Sequence, residues 1–152
     1  MDYRKFGDTY CIRMDRDDEI ISCLISVCRE NKIDSATFSG IGGCKEAEIQ
    51  IFNPETKSFD TNLLNGVLEL VSVNGNIIKD DSGEYFHHTH AAFSFNKDGT
   101  HTMQGGHMKS TTVLYTAEIE LRPVIGGRIG RKPDPETGTG FWDFSNKHDS
   151  VV

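Results

Sequence analysis

Only one segment of this chain has the periodicity of an amphipathic helix, and this restricts the fold more than any other feature. The apolar residues of that segment share one stripe of a helix that ends near Asn31, namely Ile20, Ile21, Leu24, Ile25 and Cys28. The acidic run at 15–18 precedes the stripe and supplies candidate N-cap residues. Because one short helix cannot cover the core of a 152-residue chain, strands must form most of it.

The remaining patterns are those of strands separated by turns. Strands are predicted at 10–14, 35–39, 46–52, 67–73, 85–95, 100–108 and 111–121, with a short one near Phe59. Gly40-Ile-Gly-Gly43 predicts a flexible corner. Seven or eight short strands with one main helix predict an α+β fold. We expect a single compact domain whose sheet is mostly antiparallel and partly closed.

The composition changes after Arg122-Pro123. Residues 1–123 carry the core patterns and are predicted to form the domain, whereas the following stretch is rich in turn formers and ends in an aromatic cluster at 141–144. We expect residues 124–152 to form a C-terminal arm. Phe141 and Trp142 would dock this arm onto its own domain or onto a neighbouring subunit.

Cysteine usage and the N-terminus predict a cytoplasmic protein. The four cysteines have neither the spacing of a disulfide framework nor a C-x-x-C metal pair, so we expect reduced thiols: Cys11, Cys23, Cys28 and Cys44. The first residues lack the apolar region of a secretory signal. No apolar run approaches the roughly 20 residues that cross a bilayer, so no membrane partner is expected.

The Asp98-Gly99 dipeptide is the strongest hairpin signal in the chain, and it relates two distant histidines. If these two residues form the centre of a type I′ turn, Lys97 pairs with Thr100. Counting along both strands then brings His90 directly opposite His107 on the same face, with Cβ atoms about 5 Å apart. The other histidines are expected to be structural or solvent-facing, apart from His88: His87, His101 and His148.

Three imidazoles converge in this register, because His88 lies two residues before His90 and points to the same face. Such a set is typical of Zn²⁺ or a similar divalent transition metal, with a fourth position left open for water, an anion or a small molecule. Gly105 and Gly106 are expected to line the site, since a missing side chain admits backbone or ligand. Alternatively, the histidines are ordinary polar residues of a half-exposed strand.

The chain resembles a stand-alone prokaryotic member of the plants-and-prokaryotes conserved (PPC) domain family, from about residue 10 to 123. The matching motifs are Asp18-Glu-Ile-Ile21, Ser39-Gly-Ile-Gly-Gly43, Phe52-Asn-Pro-Glu-Thr-Lys57, Leu70-Val-Ser-Val-Asn-Gly75, His88-Thr-His90, Asp98-Gly99 and Gly105-Gly-His-Met108. Five residues separate Asp98-Gly99 from Gly105, which is longer than the family pattern. The resemblance implies a homotrimer and a metal, zinc, held by His88, His90 and His107.

The resemblance also implies a DNA-binding or regulatory role, because plant members join this domain to AT-hook peptides. This chain has no clear AT-hook: Gly127-Arg-Ile-Gly-Arg-Lys-Pro133 lacks the Arg-Gly-Arg-Pro core that enters a minor groove. Residues 122–132 carry four positive charges and no acid, which leaves −11 for the rest. The candidate nucleic-acid contacts are therefore Arg128, Arg131 and Lys132. Alternatively, these side chains meet the acidic body of a subunit.

An open three-histidine site supports a second function, that of a zinc-dependent enzyme or small-molecule binder. The family fold is similar to that of zinc-containing acetolactate decarboxylases, so decarboxylase- or hydrolase-like chemistry is an analogy to test. Such chemistry needs a proton carrier within reach, and Glu69, Glu84 and Glu118 are available, although rare burial of glutamate favours a solvated strand residue in each case. No catalytic residue is assigned. A third interpretation makes the metal a purely structural link within a trimer.

Overall fold

The computed structural model describes residues 1–145 and consists of one helix and eight strands in that range. In chain order the elements are β1 (Asp2–Phe6), β2 (Thr9–Met14), α1 (Ile20–Glu30), β3 (Ser35–Asn53), β4 (Ser58–Lys79), β5 (Tyr85–Lys97), β6 (Thr100–Pro123), β7 (Gly130–Pro133) and β8 (Gly140–Asp143). The domain is therefore mostly β, and the α+β prediction holds only in its coarse form. Within the same residues, no helix has the length and apolar character to cross a membrane.

The large sheet is antiparallel and partly closes on itself. Its strand order is β1-β2-β6-β3-β4-β5, and an additional pairing joins β5 to β6. Strand β6 makes this closure possible because it is 24 residues long. Its first part pairs with β5 and the remainder pairs with β3, so that β3, β4, β5 and β6 form a closed circuit of hydrogen-bonded neighbours.

Helix α1 begins directly after Glu19, whose carboxylate accepts hydrogen bonds from the backbone N–H groups of Ile21 and Ser22 at 3.1 and 2.7 Å. The prediction of an N-cap within residues 15–18 was therefore wrong. The three aspartates of that run form ion pairs instead: Asp15 and Asp18 with the N-terminal ammonium, and Asp17 with Lys45. Four residues of the predicted apolar stripe are buried against the sheet, namely Ile20, Ile21, Leu24 and Cys28. The fifth, Ile25, is only partly buried, and Val27, which was not predicted, is fully buried.

The predicted short strands are parts of longer ones. Residues 40–43 lie inside β3 rather than at a corner, and the pairing of β3 with β4 shifts register between Gly40 and Gly42. A bulge of this kind bends a strand without ending it. The prediction of a flexible corner at this glycine-rich segment was therefore wrong. Strand β1 was not predicted at all. It lies at the edge of the sheet with mostly exposed side chains, so it carries no alternating apolar pattern.

The β5–β6 hairpin has the predicted turn and register. Asp98 and Gly99 both have positive φ, 52° and 81°, as a type I′ turn requires. Pairing continues without a shift from Lys97 and Thr100 to His90 and His107, so the longer hairpin contains no bulge over this stretch. Core residues of β5 alternate with the histidines, since Thr89, Ala91 and Phe93 are buried. The predicted histidine pairing is confirmed.

The chain continues past β6 along the edge of the domain. The Val124 N–H donates to the Ser35 carbonyl at 2.9 Å, and the Ile129 N–H donates to the Ser35 hydroxyl at 3.2 Å. Strands β7 and β8 then form a separate two-stranded antiparallel hairpin. Phe141 and Trp142 are about half exposed, at 52% and 46%. The boundary at 123/124 and the docking of residues 124–152 stay predictions.

Candidate metal centre

Three histidine rings form a nearly equilateral triangle on the face of the hairpin that points away from the core. The ring centroids are 5.4 Å apart for His88 and His90, 5.2 Å for His88 and His107, and 5.4 Å for His90 and His107. One nitrogen from each ring lies within 4.8 Å of the other two. The register of the hairpin therefore places three histidines from two strands next to one another.

The donor set fits a zinc-like ion. Tetrahedral zinc with Zn–N bonds of about 2.0–2.1 Å separates its nitrogen ligands by about 3.3 Å. The three nitrogens must therefore approach one another by no more than about 1.5 Å, which is a small adjustment spread over three side chains. Borderline nitrogen donors suit zinc, copper or nickel better than magnesium or calcium. With three ligands from this chain, a tetrahedral ion keeps one position open.

The surroundings of His88 and His107 favour the neutral form that binds metals. The pKa of His107 is lowered to about 4, chiefly by burial and in addition by charge repulsion from the nearby His88, His90 and His87. The pKa of His88 is also lowered, first by burial and then by His90. A neutral imidazole has a free lone pair for a metal, so these two ligands need not lose a proton at neutral pH.

An aromatic wall borders one side of the triangle. The ring of His107 lies 5.5 Å from that of Phe59 on β4, and Phe59 in turn meets Phe52 of β3 edge-on at 5.4 Å. A cavity of about 220 Å³ is lined by His88 and His107 together with residues of the β7–β8 hairpin. The triangle therefore has both aromatic rings and a small cavity as neighbours.

Gly105 and Gly106, which were predicted to line the site, lie in close contact with the backbones of β5 and β3. A Cβ at Gly105 would lie 2.6 Å from the Ala91 carbonyl oxygen, and one at Gly106 would lie 2.7 Å from the Gln50 carbonyl oxygen. Neither residue is among those that line the cavity beside the triangle. Their lack of a side chain lets β6 approach β5 and β3 closely, and this places His107 at its position.

The three basic residues predicted as nucleic-acid contacts have different environments. Arg128 is largely covered, donates to the Lys79 carbonyl at 2.6 Å and pairs with Asp81 at 3.0 Å. Arg131 lies on the ring of Phe86, with its guanidinium carbon 4.3 Å from the ring centroid, and lines the cavity. Lys132 is exposed.

Of the remaining histidines, His87 lines the same cavity as His88 and His107 but is not part of the triangle. His87 is half-buried with its Nδ1 3.0 Å from the Thr89 hydroxyl, and His101 is exposed opposite Asn96. His148 lies outside the described residues. None of the three candidate carboxylates lines the cavity, namely Glu69, Glu84 and Glu118. Among residues 1–145, no aspartate or glutamate lines it.

Sequence reasoning missed Arg131 as a neighbour of the histidines. Its place depends on where the β7–β8 hairpin packs, and that contact joins segments more than forty residues apart. The only available signal was that Arg131 stands in a basic stretch without acids, which pointed equally to nucleic acid.

Comparisons with known proteins identify the family. The profile of the Plants and Prokaryotes Conserved (PCC) domain, also abbreviated PPC, matches residues 1–125. A PPC protein from Pyrococcus horikoshii is 33% identical, with a TM-score of 0.78 and coverage of 93% of this chain and 94% of that one. No curated protein matches the chain.

Two further solved structures resemble the chain over nearly its whole length. A candidate DNA-binding protein from Bacteroides thetaiotaomicron is 27% identical, with a TM-score of 0.83 and coverage of 94% of this chain and 96% of that one. A metal-containing protein from Archaeoglobus fulgidus is also 27% identical, with a TM-score of 0.77 and coverage of 93% and 98%. The chain belongs to the Plants and Prokaryotes Conserved domain family.

Proposed function

We propose that this chain is a metal-binding protein that holds one divalent transition metal ion, zinc or a similar one, through His88, His90 and His107. The triangle of ring nitrogens within 4.8 Å carries the proposal. The similarity to a protein described as metal-containing supports it independently. When bound in such a site, the ion polarises a carbonyl oxygen or lowers the pKa of a bound water.

Metal analysis of single variants tests the site. Metal-stripped protein is dialysed against zinc, and its zinc content is measured by elemental analysis. We expect about one zinc per chain in the wild type, and loss of stoichiometric zinc in His88→Ala and His107→Ala. His101→Ala is the matched control, because His101 lies on the same hairpin but is exposed and outside the triangle. Full zinc retention in both ligand variants would refute the proposal.

The open fourth position favours a ligand-binding or catalytic role over a purely structural one. Closed structural zinc sites have four protein ligands, whereas a site of three ligands, two of which line a cavity, leaves room for a small molecule. No carboxylate among the described residues lines that cavity, so proton transfer by a carboxylate of this chain is not supported. Binding of a small molecule or anion is the part of the alternative that the cavity favours.

We further propose that the chain assembles as a homotrimer, which its family resemblance implies. Several large apolar side chains on the strands of the sheet are exposed in the single chain, among them Ile41, Val71 and Tyr115. Burial of such side chains against another copy would remove them from water. Light scattering coupled to size-exclusion chromatography should give about three times the 17.0 kDa chain mass. A monomer mass at micromolar concentration would contradict the assembly.

DNA association is a second candidate function, favoured by the similarity to a protein described as a candidate DNA-binding protein. Arg128 is held by Asp81 and Lys79, so it offers little to a phosphate backbone. Together with the net charge of −7, this leads us to expect weak binding. Fluorescence anisotropy with an A·T-rich duplex should show a shallow dependence of affinity on salt, because each neutralised phosphate adds about 0.9 to the slope. Sub-micromolar affinity at physiological salt with a steep slope would contradict this expectation.

A further inference from the structure

We propose that Arg131 and the open position of the metal centre together bind a short carboxylic acid in the cavity beside the histidine triangle. The inference rests on the proposed metal site and adds the chemical class of its ligand. The acid carries a second oxygen group, such as an oxo, hydroxy or second carboxyl group. Its carboxylate pairs with the guanidinium of Arg131, and its other oxygen faces the metal side of the cavity.

The guanidinium of Arg131 lies close to the Phe86 ring and to the backbone of Gly140. Its central carbon lies 4.3 Å from the centroid of the Phe86 ring. The backbone of Gly140 is also close, because a Cβ there would lie 2.6 Å from the same guanidinium carbon. A side chain at position 140 would therefore displace the guanidinium from this position. Stacking on Phe86 occupies a face of the group and leaves its in-plane N–H donors available.

Arg131 has no acidic partner within the described part of the chain. Among residues 1–145 it forms no ion pair, whereas Arg128, three residues earlier, pairs with Asp81 and donates to the Lys79 carbonyl. The cavity lining in the same range contains no carboxylate, but it does contain His88 and His107. A guanidinium that has no carboxylate partner within the described residues can bind the carboxylate of a ligand through two parallel hydrogen bonds.

The spacing of the two anchor points sets the size of the ligand. Arg131 stacks on Phe86. Phe86 and His88 lie two residues apart on the same face of β5, which corresponds to about 7 Å along the strand. The cavity volume of about 220 Å³ is below the roughly 300–1,000 Å³ of pockets for drug-sized ligands. Asn76 pairs with His88 in the adjacent strand and also lines the cavity, so its side-chain amide is available to a ligand oxygen. These dimensions fit a short acid that spans from the arginine to the metal side.

Calorimetric titration of zinc-loaded protein with pyruvate tests the inference. Arg131→Met keeps a long side chain over Phe86 but removes the guanidinium, and it should weaken pyruvate binding by about tenfold or more. Arg131→Lys should not restore the affinity, because a lysine ammonium lacks the planar fork. The matched control is Lys132→Met, which removes an adjacent exposed charge and should leave the affinity within about twofold of the wild type.

Zinc content, melting temperature and phosphate binding are measured on the same samples. Arg131→Met should retain the zinc and the fold of the wild type, which assigns the lost affinity to the guanidinium. Zinc-loaded wild type that binds pyruvate no better than Arg131→Met overturns this inference alone. Wild type that holds no zinc overturns the proposed function as well. Binding of inorganic phosphate in place of pyruvate, with the same dependence on Arg131, contradicts the assignment to a carboxylic acid.

Discussion

His90 and His107 are paired directly across β5 and β6, with ring centroids 5.4 Å apart and nearly perpendicular planes at 82°. The pairing follows from the two-residue turn at Asp98-Gly99 and from an unbroken register between turn and histidines. Because both partners belong to one hairpin, the spacing of these two ligands does not depend on distant parts of the fold. His88 then completes the triangle from the same strand as His90.

Metal binding should stabilise the folded protein measurably. An ion that binds only the folded state adds about 2.7 kcal/mol when its free concentration is a hundred times its dissociation constant. For a chain of this size, that corresponds to a rise in Tm of roughly 5–10 °C. Differential scanning calorimetry of stripped and zinc-loaded protein measures the shift. His90→Ala should abolish it and His101→Ala should preserve it. If zinc leaves the Tm of the wild type unchanged, the triangle does not hold the ion in the folded state.

The hairpin shows how far the sequence determines the site. The turn, the register and the facing of His88, His90 and His107 all follow from spacing within about 20 residues, and the structure has them as predicted. The position of Arg131 beside the histidines could not be predicted in this way, because its contact with Phe86 depends on the tertiary packing of a separate hairpin. The single helix and the antiparallel sheet were likewise predictable from apolar periodicity. The continuity of β3 through Gly40 was not, since a bulged strand and a glycine corner have the same local composition.

Acidification should destabilise the metal-free protein in a window set by His107. Burial, together with repulsion from neighbouring histidines, lowers the pKa of this group to about 4 in the folded state, against about 6.5 for an unfolded chain. The unfolded state therefore takes up a proton first as the pH falls, so the stability present above pH 6.5 is lost progressively toward pH 4. Thermal melts between pH 7 and 5 check this loss. Replacement of His107 by Asn should flatten the dependence, and an unchanged slope in that variant would rule out His107 as its source.

Gly105 should be one of the least replaceable residues of the hairpin. A Cβ there would lie 2.6 Å from the Ala91 carbonyl oxygen, a backbone atom that cannot move without disturbing the strand pairing. We expect Gly105→Ala to reduce the free energy of unfolding by about 2 kcal/mol or more in urea denaturation. Gly127→Ala is the control, because no atom lies within 4 Å of its added Cβ. Equal stability of the two variants would mean that β5 and β6 separate at little cost.

Arg128 should hold the segment after β6 against the domain through its backbone contact more than through its ion pair. Asp81 is largely exposed, and an exposed ion pair contributes only about 0–1 kcal/mol. The hydrogen bond to the Lys79 carbonyl, by contrast, is formed by a side chain that is only 20% exposed. We therefore expect Arg128→Met to speed hydrogen exchange at the Ile129 N–H, which donates to Ser35, by about tenfold. Asp81→Asn should change that rate much less. An equal acceleration in both variants would identify the ion pair as the contact that matters.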